Sequence, residues 1–123
     1  MTRTIFITLF LLHRICSAEE ITGIPRLIDG DSIRIADVDI RLQGIDAPEA
    51  KQLCLVNEDD WACGKAATET LSFLSVEAPF RCTWTERDRY NRALATCFRK
   101  DKNINGMMVG VRMALAYRHY GHT

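Results

Sequence analysis

The chain of 123 residues has no surplus of either charge: 16 Lys and Arg stand against 16 Asp and Glu, a formal net charge of +0. Bulk electrostatics therefore does not announce a nucleic-acid partner. There is no apolar run of the ~20 residues that a membrane-spanning helix requires, and the run Ile5 to Leu12 falls far short of it. Internal repeats, low-complexity tracts and linkers are absent, which excludes solenoids and tethered modules. The cysteines beyond position 18 form no C-x-x-C pair and have no histidine close by, which argues against a zinc site. What is present, at 47% apolar residues, suits one domain around one core.

The first eighteen residues read as a secretory signal peptide. Arg3 supplies a short positive region, the apolar run follows, and Cys16-Ser17-Ala18 ends in small residues, with cleavage expected after Ala18. An uncleaved anchor is the rival reading, and His13 disfavours a lipoprotein signal. The expected mature domain is 19–123. Without Arg3 and Arg14 it carries 14 basic against 16 acidic residues. The kind of cation is more telling than the balance. The full chain has 12 Arg and 4 Lys, and the rigid arginine fork suits phosphate and carboxylate, although genomic composition gives the same bias. Four cysteines remain in the mature domain: Cys54, Cys63, Cys82 and Cys97. An even count behind a signal peptide implies two disulfides and an oxidising compartment. Three connectivities are open. Cys54–Cys63 closes a loop, and Cys82–Cys97 stands symmetrically about a hairpin, so these two pairs are expected.

Along the mature domain, Ile21 to Ile28 reads as a strand with a bulge or edge at Pro25. Asp29-Gly30 is a hairpin turn in which Gly accepts positive φ. Ile33 and Ile35 mark a second strand, Ala36-Asp37 the next turn, and Val38 to Ile45 a third strand. A polar loop from Leu53 leads to a helix beginning near Asp60 or Trp61, with Asp60 as N-cap and Ala66, Ala67, Thr70, Leu71 and Leu74 at helical spacing. Phe80 to Thr85 and Ala93 to Arg99 are strands four and five. They flank a charged hairpin loop, Glu86 to Arg92, in which Asn91 takes the left-handed conformation. Asn103 to Met113 is a second helix, with Asn103 or Asn105 near its cap. Five short strands with a helix between the third and fourth is the order of an OB-fold barrel, an α+β, mainly β, fold.

The organising stretch is Arg41 to Glu49, RLQGIDAPE. Ile40 and Leu42 alternate with Arg41 and Gln43, so Arg41 points away from the Leu42 face. Pro48 then forces Asp46 to Glu49 into a stiff turn leaving the sheet. A cation on a strand and two anions on the following loop can face one pocket.

IDGDS at Ile28 to Ser32, RLQGIDAPE, DRYNR at Asp88 to Arg92 and the tail ALAYRHY together resemble the staphylococcal nuclease (thermonuclease) family, in order and spacing from Gly23 to Tyr120. The resemblance implies an OB barrel with packed helices. It also implies calcium-assisted hydrolysis of DNA and RNA that leaves 3′-phosphates. By position, Asp31 and Asp46 resemble the carboxylate metal ligands, and Ala47 the residue lending a backbone carbonyl to Ca2+. Glu49 resembles the general base, and Arg41 and Arg92 the phosphate-binding arginines. A hard cation with oxygen ligands polarises a phosphodiester, a carboxylate takes the proton of the attacking water, and guanidinium groups hold the charge of the transition state. Trp61, Trp84 and Tyr90 are candidates for base stacking, with packing the expectation for the two tryptophans. Tyr117 or Tyr120 is placed at the nucleotide pocket by the resemblance.

Two features depart from the family pattern. Arg112 stands where a helix-ending glycine is expected. The sequence also stops at Thr123, where the family continues into another helix. A non-catalytic OB module binding single strands and an inactive truncated nuclease are the alternative readings, and retention of Asp31, Asp46 and Glu49 disfavours the first of them. A monomer acting in the periplasm or outside the cell on flexible or single-stranded nucleic acid, without stable membrane association, is the expectation.

Overall fold

Strict alternation of apolar and polar residues builds the sheet. In the computed structural model, which describes residues 18–76 and 78–116, Ile33, Ile35, Ile40 and Leu42 are buried while Arg34, Asp39 and Arg41 between them are half-buried. All of the expected leader except Ala18, and the tail tyrosines Tyr117 and Tyr120, lie outside the described residues. Among the described residues no helix is long and apolar enough to cross a membrane.

The elements are β1 (Glu19–Gly23), β2 (Arg26–Asp29), β3 (Ser32–Ile35), β4 (Val38–Leu42), β5 (Ile45–Asp46), β6 (Cys54–Val56) and β7 (Asp59–Trp61), then α1 (Cys63–Leu74), β8 (Phe80–Arg87), β9 (Ala93–Arg99), β10 (Lys102–Asn103), α2 (Ile104–Gly110) and β11 (Leu115–Ala116). The main sheet runs β1-β8-β9-β4-β3-β2, with β10 on β9. It is mostly antiparallel, and β4 and β9 are the parallel pair. A curled half-barrel sheet with two helices is the OB-like α+β arrangement that the order of elements implied.

The finer divisions differ from the sequence reading for local reasons. The first expected strand is two, because Pro25 has no N–H to donate and the chain changes partner there. β1 pairs with β8, and β2 with β3. The loop after Leu53 is a small hairpin of β6 and β7, turned by Asn57 and Glu58 at φ 51° and 67°. That hairpin moves the start of α1. Asp60 is committed to β7, so the N-cap is Ala62, which offers no side-chain acceptor. Gly64 N–H bonds instead to the Gln52 carbonyl at 3.1 Å. Gly30 is needed for closeness rather than for positive φ: a Cβ there would lie 2.8 Å from Ala67 Cβ and 2.9 Å from Ala47 Cβ.

The core lies between the concave sheet and the helices. It joins Ile33, Ile40, Leu42, Phe80 and Ala95 to Leu71 and Ala67 of α1 and Ile104 and Met108 of α2. Each large side chain fully buried there contributes about 1.5–3 kcal/mol. Cys82 and Cys97 are direct cross-strand partners in β8 and β9 and are disulfide-bonded, and Cys54 and Cys63 are bonded across the base of the small hairpin. Both pairs are those expected from spacing. Asn105 ties α2 to the sheet. Its side chain accepts from Cys97 N at 3.0 Å and donates to the Gln43 and Ala95 carbonyls, both at 2.9 Å.

Candidate active site

The β2–β3 turn and the loop after β5 are held together by carboxylates. Asp31, in the turn, is 7% exposed. Its Oδ2 accepts the Ala47 N–H at 2.9 Å, and its Oδ1 the Ser32 hydroxyl at 3.1 Å. Asp29 Oδ1 accepts the Ala50 N–H at 2.6 Å. Two acids on one turn thus hold both ends of the Ala47–Ala50 segment, which Pro48 already stiffens.

Arg41 stands at the centre. Its Nη1 donates to the Leu42 and Ile45 carbonyls at 3.2 and 3.1 Å and lies 3.6 Å from Asp31 Oδ2. Nη2 lies 3.7 Å from Asp46 Oδ1. The bonds to backbone follow from the chain reversal at Gly44, whose φ of 79° costs glycine nothing. Asp46 is well exposed and Asp31 nearly buried, so one acid of the pair faces solvent and the other is fixed by the protein.

Glu49 is exposed. Its backbone N–H bonds to Gln52 Oε1 at 3.2 Å, and its carbonyl accepts from Gln52 N at 2.8 Å. The first turn of α1 presses on this segment, since a Cβ on Gly64 would collide with the Glu49 carbonyl.

Arg92 directly precedes Ala93, which pairs with Ile40, while Arg41 pairs with Leu94. The second arginine therefore enters on the strand next to the first. Its Nε donates to Asp88 Oδ2 at 2.7 Å, and Asp88 Oδ1 takes the Arg92 and Tyr90 N–H groups at 2.9 Å. Burial acts to raise the Asp88 pKa. The bonds from the Arg92 backbone and guanidinium and from the Tyr90 N–H outweigh it and hold the carboxyl below the usual carboxylate range. Asn91 takes the left-handed conformation, φ 64°, as expected for this turn.

A cavity of about 500 Å3 opens beside this group, with Asp46, Ala47 and Glu49 in its wall. Among the described residues there is no cluster of three or more His, Cys, Asp or Glu side chains able to hold a metal. The oxygen set here is smaller: two carboxylates, Asp31 and Asp46, on either side of one guanidinium, next to the Ala47 backbone. Hard oxygen donors of this kind suit calcium, with water and substrate completing the shell.

The family description "Staphylococcal nuclease homologue" matches residues 39–123. This chain belongs to that family. Its relatives include a succinoglycan biosynthesis protein, ExoI, of Rhizobium meliloti, 42% identical over 114 residues and covering 88% of this chain and 60% of the relative. An uncharacterised endonuclease of Haemophilus influenzae is 33% identical, covering 97% of this chain and 65% of the relative. A micrococcal nuclease of Shigella flexneri is 33% identical, covering 80% and 59%. The chain thus spans about 60% of the length of these relatives.

Against the family pattern, Arg112 keeps the turn that a glycine would make. It lies at φ 62°, and the Met113 N–H closes α2 on the Met108 carbonyl at 3.0 Å. The penalty for a non-glycine residue there is about 1–2 kcal/mol. The sequence assigned no supporting role to Asp29, to Gln52, which also lines the cavity, to Gly64, or to Asn105, which ties α2 to the sheet. Asp29 gave a signal as turn chemistry and Asn105 as a residue near the cap of the second helix, whereas Gln52 and Gly64 gave none.

Proposed function

We propose that the chain is an exported, calcium-assisted nuclease that hydrolyses phosphodiester bonds of DNA and RNA and leaves 3′-phosphates. The observation that carries this reading is the convergence of Asp31 and Asp46 on the Arg41 guanidinium, beside the loop bearing Glu49. Membership of the nuclease family supports it, as do relatives named as nucleases. Two disulfides support an oxidising destination, either periplasm or medium.

In this reading Asp31, Asp46 and the Ala47 carbonyl hold the calcium ion. When bound, the ion supplies Lewis acidity toward a non-bridging phosphate oxygen. Glu49 takes a proton from water as its oxygen bonds to phosphorus. The P–O5′ bond breaks and O5′ leaves with a proton from solvent, which keeps the phosphate on the 3′ side. Arg41 is fixed by two backbone carbonyls, so its fork is aimed before substrate arrives and loses little freedom on binding. Asp88 orients Arg92 through Nε in the same manner. The open cleft suits a flexible, single-stranded stretch of substrate.

The test is digestion of single-stranded DNA with calcium, then with a chelator, by wild type and Glu49→Gln. The expected result is loss of cleavage with chelator, recovery on adding calcium, and a fall of at least about 100-fold in kcat for Glu49→Gln. Cleavage indifferent to chelator sinks the metal assignment. Equal rates for the two proteins sink Glu49 as the base.

A further inference from the structure

Part of the cleft wall lies outside the main sheet, in the β6–β7 hairpin. Cys54 and Trp61 are direct cross-strand partners, so their side chains share one face of the hairpin. Both line the cavity that Asp46, Glu49, Arg112 and Met113 also line. The hairpin is held at its base by the Cys54–Cys63 bond. Trp61 is 40% exposed, whereas the other tryptophan, Trp84, is 6% exposed and belongs to the core. An aromatic ring on a clamped two-stranded arm, left open to solvent beside a candidate hydrolytic centre, is a stacking platform. The cavity volume, about 500 Å3, falls in the range of small-molecule sites, about 300–1,000 Å3.

We propose that Trp61 stacks a nucleobase of the substrate strand, one adjacent to the scissile phosphate, and that this hairpin face is a base subsite of the enzyme. The inference rests on the nuclease reading and deepens it. Stacking needs only a π face, so the subsite takes any of the bases and sets affinity and cleavage position rather than sequence. Arg112 lines the same cavity and adds a cation for the anionic strand. The disulfide ties the base of this hairpin to the start of α1, whose first turn packs against the Glu49 backbone. Base and scissile phosphate are thereby held together, which is a positioning effect on the reaction.

The experiment compares two single-stranded oligonucleotides, one with a full set of bases and one with abasic positions flanking the cleavable linkage. It uses wild type, Trp61→Ala and Trp61→Phe. The expected result is a KM about tenfold higher for Trp61→Ala on the base-bearing strand, the size of one base–aromatic stack. KM on the abasic strand should be unchanged, and Trp61→Phe should restore most of the loss. Thermal melting checks that both variants fold. Equal effects of Trp61→Ala on the two strands, or no effect on either, overturn the subsite. Failure of wild type to cleave either strand overturns the nuclease reading instead. In that event tryptophan fluorescence decides the subsite: quenching by the base-bearing strand that is lost in Trp61→Phe supports it, and quenching that persists refutes it.

Discussion

Gly64→Ala tests whether the first turn of α1 sets the position of Glu49. A methyl group at Gly64 would overlap the Glu49 carbonyl oxygen and lie 2.8 Å from the Glu49 carbonyl carbon and 2.9 Å from that of Ala50. Carbon atoms in comfortable contact stand ~3.5–4.0 Å apart, and the overlapped oxygen has further to go, so the segment must retreat by at least ~1 Å. The obstacle is backbone on both sides, with no side chain able to swing away. The segment is also fixed elsewhere, by Asp29 at Ala50 and by Asp31 at Ala47. Overpacking of this kind costs about 1–3 kcal/mol, against which the better helix propensity of Ala returns up to ~1 kcal/mol. A net loss of about 1–2 kcal/mol corresponds to a fall in Tm of roughly 4–16 °C for a domain of this size. The effect on catalysis should be larger than the effect on stability, because a misplacement of ~1 Å at a reacting group costs on the order of 100-fold. The assay is kcat on single-stranded DNA with calcium, together with a thermal melt by circular dichroism. A variant that keeps both wild-type Tm and wild-type kcat refutes the idea that α1 buttresses Glu49.

Two further perturbations address the scaffold. Asn105→Ala leaves the Cys97 N–H and the Gln43 carbonyl without their partner, and should cost roughly 2–4 kcal/mol in chemical denaturation. A change below ~1 kcal/mol would mean that the bridge between α2 and the sheet carries no weight. Asp88 provides a test in pH. Its folded pKa is depressed, so its contribution to stability is present above the unfolded value near 3.8 and is lost as pH falls through the folded value. Wild type should therefore be more stable than Asp88→Asn at pH 7, and the gap in Tm should close below about pH 4. A gap that stays constant across that range removes the ionised pair with Arg92 as its cause.

The candidate site residues are assigned by the resemblance of their motifs to the family; what residue chemistry alone makes legible is the path of the turns within those motifs. Pro48 stiffens a loop, Asp-Gly-Asp makes a turn, and Asn91 permits a left-handed residue. The strands β3, β4 and β9 were legible because alternation with period two survives wherever one face is buried. The first helix start was misplaced at Asp60 because a good capping residue can equally well serve in a strand. Only the pairing of Asp59–Trp61 with Cys54–Val56 decides between the two. Gly30 and Gly64 were opaque for a related reason: their need is for closeness to another element, which no local pattern encodes.

By itself the sequence determined most of the strands, both helices and the two cross-links by spacing, since propensity, periodicity and turn preference act over a few residues. Tertiary structure alone decided that Asp31 and Asp46 meet at Arg41, that Asp29 and Gln52 hold the loop between them, and that Trp61 faces the cleft while Trp84 lies in the core. Those outcomes depend on strand register and on which surfaces are brought together to exclude water, and register is a property of the whole sheet.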